Sequence, residues 1–170
     1  MDTPKVKPNT FAFFLRGVPS SGKSTLAKKL ELSNYKFTRI SVDDVGRKAW
    51  INLLKEAIER EDRYIVVDRC HSSVELRKKS LQAISFYKNR VCSILVTLPR
   101  LSFEELTERI KNDLRHKYSP EERLIGLKCH MKKRSKDTVD IIKEGWDYHL
   151  DLNTDDSLEK FLRRLDNQNM

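Results

Sequence analysis

No apolar stretch in this 170-residue chain approaches the ~20 residues that a helical membrane span requires. The opening MDTPKVKPNT also lacks the apolar segment of a secretory signal. Cysteine is scarce and unpatterned. Cys70, Cys92 and Cys129 are three, an odd number, and form no C-x-x-C pair, which argues against a disulfide framework and against a zinc ribbon. A reduced setting, intracellular and either cytoplasmic or nuclear, is the simplest expectation. Internal repeats, low-complexity tracts and linkers are absent, as are zinc-finger spacing, an RNP-type aromatic cluster and a helix-turn-helix signature. Acidic residues are in the minority. The 25 Asp and Glu face 34 Lys and Arg, a formal charge of +9, so the averaged field favours nucleotides, nucleic acid or another anionic partner. Solvated helix faces account for part of the same charge, and nothing calls for a membrane or an obligate protein partner.

Glycine is also rare, five in the whole chain, yet two fall within GVPSSGKST at positions 17–25. The run fits G-x-x-x-x-G-K-[ST], with Gly17, Gly22, Lys23 and Ser24 at the specified places. Such a string means a phosphate-binding loop only between a strand and a helix. FAFFLR before it reads as a buried strand, and STLAKKLELS after it reads as a short helix with Leu26, Ala27 and Leu30 inward. In that setting Ser20, Ser21 and their neighbours turn backbone N–H groups onto phosphate oxygens at the positive end of the helix. Lys23 adds a cation, Ser24 a hydroxyl for Mg2+, and Thr25 completes the loop.

The remaining chain alternates strands and helices. YKFTRIS reads as a second strand; DDVGRKAWINLLKEAIEREDR reads as one helix with Val45, Ala49, Trp50, Leu53, Leu54, Ala57 and Ile58 at helical spacing. YIVVD is a third strand, apolar throughout and so covered on both faces. A helix over SVELRKKSLQAISFYKN leads to a fourth strand, VCSILVTL, ended by Pro99. SFEELTERIKNDLRH opens on a capping box, Ser102 with Glu105, and KYSP separates it from the helical EERLIGLKCHMKKRS. WDYHLDL alternates with a period of two as a last strand, and a final helix capped by Asp156 buries Leu158, Phe161, Leu162 and Leu165. The pattern predicts a flexible N-terminus over 1–10 and a single α/β domain over 11–170, with a mainly parallel five-stranded sheet flanked by helices. The tryptophans and tyrosines read as core or strand-packing residues.

Parallel strands open their following loops on one edge, where ligands bind. The loops after strands one, two and three would then bring Asp43, Asp44, Arg47, Asp68, Arg69 and His71 toward the phosphate loop. Asp43, just past a strand, is a candidate general base for an attacking hydroxyl, although Asp43 or Asp44 also suits a helix cap; Asp44 is the better cap. Asp68 ends an apolar strand, the place for a carboxylate that holds Mg2+ with Ser24. Arg69 either faces the substrate or pairs with Asp68, and a loop histidine such as His71 is as readily solvated or hydrogen-bonded as catalytic. Arg109, Lys111, Arg115, His116 and Lys117 form a basic break between two helices, the writing of a lid, and Arg115 at its hinge is the candidate charge-neutralising arginine.

DDVG at 43–46 formally matches a GTPase D-x-x-G, but Asp43 follows Lys23 by only about twenty residues and no N-K-x-D occurs. Phosphoryl transfer to a hydroxyl is the reading that remains. GVPSSGKST after an aromatic strand, SVDDVG, VVDRCH, ERIKNDLRHKYSP and KEGWDYHLDL together resemble the P-loop polynucleotide 5′-kinases, including kinase domains of DNA end-healing enzymes and of fungal-type tRNA ligases. The resemblance covers most of the chain. It implies a P-loop NTPase-type fold with a helical lid, and transfer of the γ-phosphoryl of ATP or GTP to a 5′-hydroxyl end of RNA or DNA. It further implies that Lys23 and Ser24 bind triphosphate and magnesium, that Asp43 activates the hydroxyl, that Asp68 and its neighbours shape the site, and that Arg115 acts from the lid. A kinase for a nucleoside, nucleotide or sugar, and a non-catalytic nucleotide-binding module, are the alternatives.

Overall fold

The computed structural model describes residues 7–114, 116–136, 141–155 and 157–168. Five strands form one fully parallel sheet: β1 (Thr10–Arg16), β2 (Thr38–Ser41), β3 (Tyr64–Asp68), β4 (Val91–Thr97) and β5 (Tyr148–Asp151), in the spatial order β2-β3-β1-β4-β5. The central strands β1, β3 and β4 are buried almost throughout, as their unbroken apolar runs require. Pairing is in register from Phe11↔Tyr64 to Phe14↔Val67 between β1 and β3, and Ser41 of β2 stands beside Asp68 of β3. Asn9 and Thr10 both donate to the Arg90 carbonyl at 3.0 and 3.1 Å, so the ordered strand begins within the first ten residues rather than after them.

Helices α1 (Lys23–Glu31), α2 (Val42–Val45), α3 (Ala49–Glu59), α4 (Val74–Ile84), α5 (Phe103–Asn112), α6 (Pro120–Lys136) and α7 (Leu158–Gln168) complete the fold. Trp50, Leu54 and Ile58 of α3, with Ala83 and Ile84 of α4, pack on Ala12, Phe14, Ile65 and Leu95 of one sheet face. Ala27 and Leu30 of α1, with Phe161, Leu162 and Leu165 of α7, cover Phe13, Leu15, Val66 and Ile94 on the other. A third apolar cluster joins Val18 of the phosphate-loop sequence to Leu106 and Ile110 of α5 and Leu127 of α6, so these two helices sit on the glycine loop.

Three local expectations change. The helix expected to run unbroken from Asp43 is two helices, because Gly46 adopts φ 91°, a left-handed value that ends α2 and re-aims the chain. Asp44 does not cap; it lies inside α2 and pairs with Arg39 at 3.3 Å. Tyr118 and Tyr148 are 43% and 49% exposed, not core residues. The Ser102–Glu105 capping box is present, and a second, Ser119 with Glu122, starts α6. Asp156 lies outside the described residues, and Ser157 accepts the N–H of Lys160 at 3.4 Å at the start of α7. Among the described residues, no helix is long and apolar enough to cross a membrane.

Candidate active site

The glycine loop spans the gap between the end of β1 and the start of α1. The Gly17 amide donates to the Cys70 carbonyl at 2.9 Å, tying the loop to the chain leaving β3. A Cβ on Gly17 would stand 2.4 Å from Ser21 Oγ, closer than side-chain atoms approach, so the residue is held to glycine by space. Ser20 and Gly22 take φ values of 67° and 102°. Alternating left-handed residues with ordinary ones is how a backbone builds an anion-binding nest, and at Ser20 the left-handed state costs a non-glycine residue about 1–2 kcal/mol. Lys23 is buried at 7% exposure, its Nζ donating to the Val18 carbonyl at 2.7 Å across the loop. Ser24 and Thr25 stand exposed in the first turn of α1.

Ser24 Oγ donates to Asp68 Oδ2 at 2.8 Å. These are the two oxygen-bearing groups expected to meet at a magnesium ion, and the contact brings the ends of β1 and β3 together. A hard cation that keeps its waters and takes phosphate oxygens needs only such a hydroxyl and a carboxylate from the protein. The residues present fit it, and no cluster of three or more His, Cys, Asp or Glu side chains suited to a metal occurs among the described residues. Asp68 is buried and also accepts Arg39 Nη2 at 3.1 Å, while Arg39 Nη1 reaches Asp44. Arg39 thus links the carboxyl ends of β2 and β3.

Cys70 ties three loops to one place. Burial raises its thiol pKa first of all; the Lys23 ammonium opposes this, and the Asp43 and Asp68 carboxylates add to it. Lys23, Asp43 and Asp68, remote in sequence, therefore act electrostatically on one sulfur atom. Asp43 is exposed on α2, and its backbone carbonyl accepts Lys117 Nζ at 3.4 Å from the turn between α5 and α6. Arg69 lies 5.1 Å from the Trp50 ring centroid, and its basicity is lowered by burial and then by the nearby charge of Arg47, which is exposed.

His71 is not at the mouth. It is fully buried, with Nδ1 2.8 Å from the Leu15 carbonyl and Nε2 2.7 Å from Ser80 Oγ, and burial pushes its pKa down to about 3. A ring with both nitrogens engaged and no exposed surface props the loop from beneath and does not contact a substrate. Arg115 lies outside the described residues. The arginines seen on the loop are Arg109 of α5, whose Nη1 donates to the Ser20 carbonyl at 3.2 Å, and Arg123 of α6, whose Nη2 donates to Ser20 Oγ at 3.0 Å. Sequence reasoning missed Arg39 and Arg123. For Arg123 there is a signal, a cation in the first turn of a helix, where the helix dipole disfavours it.

Buried polar atoms without a partner gather here. Among the described residues they are Ser21 Oγ, Arg39 Nε, Arg69 Nη1, Thr107 Oγ1 and Arg123 Nη1, and four of these five belong to the loops and strand ends just described. Orphaned donors of this kind mark places completed by water or ligand.

No protein-family model matches this chain, and no curated protein matches it. Among solved structures, a fungal RNA kinase aligns with a TM-score of 0.66 at 19% identity, over 87% of this chain and 77% of that one. The chain is thus similar in fold to that kinase, a five-stranded parallel α/β sheet flanked by helices.

Proposed function

We propose that this protein is a Mg2+-dependent phosphotransferase that moves the γ-phosphoryl of ATP or GTP to a 5′-hydroxyl end of RNA or DNA. The observation that carries the reading is the convergence on Cys70 of Lys23 from the glycine loop, Asp43 from the end of β2 and Asp68 from the end of β3. That arrangement sets a carboxylate able to take a proton beside a cradle for the donor phosphates. The fold shared with an RNA kinase and the excess of positive charge support a polyanionic acceptor.

Gly17, Ser20, Ser21, Gly22, Lys23, Ser24 and Thr25 hold the triphosphate. The acceptor oxygen attacks phosphorus in line; its proton passes to the Asp43 carboxylate as the new O–P bond forms and the bond to the departing nucleoside diphosphate breaks. Lys23 and the arginines above the loop offset the charge spreading over the transferred group. Ser24 and Asp68 would hold magnesium, which when bound neutralises phosphate oxygens. Arg47 and Arg69 border the acceptor side, with Trp50 bracing Arg69.

The test is incubation with γ-labelled NTP, Mg2+ and a panel of 5′-hydroxyl oligonucleotides and nucleosides. Label on oligonucleotide ends is expected. Label on nucleosides alone would instead assign a small-molecule kinase, and tight nucleotide binding with no transfer would assign a binding module.

A further inference from the structure

Arg123 is three residues past the Pro120 that begins α6, in a turn that also holds Glu121 and Glu122. A cation there works against the dipole of its own 17-residue helix, so its position needs another anion. Its side chain is 9% exposed. One nitrogen, Nη2, is shared between Ser20 Oγ at 3.0 Å and the Asp113 carboxylate at 3.3 Å. The other terminal nitrogen, Nη1, is buried and has no acceptor. It stands within one guanidinium's width of Ser20, the left-handed residue of the cradle, whose carbonyl is held from the opposite helix by Arg109. Leaving a charged donor dry and unpaired is unfavourable, and an anionic oxygen in the cradle removes the penalty.

We propose that Arg123 binds the donor nucleotide directly, Nη1 donating to an oxygen of its terminal phosphate while Nη2 stays on Ser20. This rests on the cradle being a triphosphate site, but not on the identity of the acceptor. Through Ser20, the same guanidinium couples occupancy of the cradle to the seating of α6 on it; the apolar contact of Leu127 with Val18 belongs to the same seating.

Calorimetric titration of ATP, GTP and the corresponding diphosphates with Mg2+, without any acceptor, tests the assignment in wild type, Arg123→Lys and Arg123→Ala. Loss of one charge-assisted bond to the terminal phosphate should weaken triphosphate binding roughly tenfold or more in Arg123→Ala, with much less effect on diphosphate. Preference for triphosphate over diphosphate should therefore shrink, and Arg123→Lys, which keeps the charge but not the fork, should fall between. An unchanged ratio of the two affinities in both variants would overturn the assignment, even if binding of both ligands weakened together through a disturbed loop. A wild-type protein that binds neither ligand would overturn it along with the cradle itself. Binding as expected with no transfer to 5′-hydroxyl ends would sink the kinase reading alone.

Discussion

Replacing Glu144 should unfold the protein at much lower temperature, because Glu144 neutralises a guanidinium that sees no water. Arg77 of α4 is fully buried, and Glu144 is 8% exposed. Arg77 Nε donates to Glu144 Oε1 and Oε2 at 3.1 and 2.9 Å, and Nη2 donates to Oε1 at 2.8 Å. The Trp146 indole N–H donates to the same carboxylate at 3.0 Å, and Arg77 Nη1 reaches the His71 carbonyl at 3.1 Å. Breaking a buried pair from one side costs about 3–5 kcal/mol, because the remaining charge is stranded. At about 2–4 °C per kcal/mol for a chain of this size, Glu144→Ala should lower Tm by roughly 6–20 °C. Glu144→Gln keeps an acceptor for Trp146 and should lose less. Removing both charges in Arg77→Met/Glu144→Met should also cost less than Glu144→Ala, since no ion is left in the interior. Thermal and urea melts of the four proteins complete the cycle. A loss below about 1 kcal/mol in Glu144→Ala, or a double variant worse than the sum of the singles, would refute the reasoning.

Acid should destabilise the fold earlier than carboxylate protonation alone would. The folded pKa of His71 is lowered to about 3 against an ordinary 6.5, so below pH 6.5 the unfolded chain takes up a proton that the folded one refuses. The stability is whole above that value and falls as pH drops, by about 1.4 kcal/mol per unit and thus about 2 kcal/mol by pH 5. His130, lowered to about 4 by burial and then by Lys133 and Lys23, acts in the same direction. His71→Asn, whose side chain tolerates the left-handed φ of 47°, should flatten the slope of stability between pH 6.5 and 4; an unchanged slope would show that His71 is not the source. Gly17→Ala drives a methyl into Ser21 and should impair NTP binding, with partial recovery in Gly17→Ala/Ser21→Ala; undiminished affinity in the single variant would remove the cradle role. Oligonucleotide affinity should fall steeply with salt, by about 0.7 in log–log slope for each phosphate contacted on a single strand, and a flat response would favour a small acceptor.

Much of the architecture was legible because buried parallel strands are written as short unbroken apolar runs, and YIVVD and VCSILVT are strands where they were expected. The glycine loop was legible for a different reason: its spacing is dictated by the geometry of the turn. The break at Gly46 was hidden because Val45 and Ala49 keep helical spacing across it, and periodicity does not register a single left-handed residue. Arg39 was opaque, since its partners Asp44 and Asp68 are set by strand order, not by nearness in sequence. His71 misled for the same reason. Its loop follows a strand at the ligand edge, but the ring turns inward to Leu15 and Ser80. Of the lid arginines, the two on the glycine loop are separated by the break between α5 and α6, and only their packing around Val18 brings both to Ser20.

The account depends most on Asp43, exposed beside the cradle and reached by Lys117 from the lid turn. The most direct measurement is transfer of γ-label to a 5′-hydroxyl oligonucleotide by wild type and Asp43→Asn, with NTP affinity measured on both proteins. The account predicts labelled 5′ ends with wild type, loss of transfer by a factor of about a hundred or more in the variant, and nearly equal NTP affinity. Transfer at an undiminished rate by Asp43→Asn would contradict it.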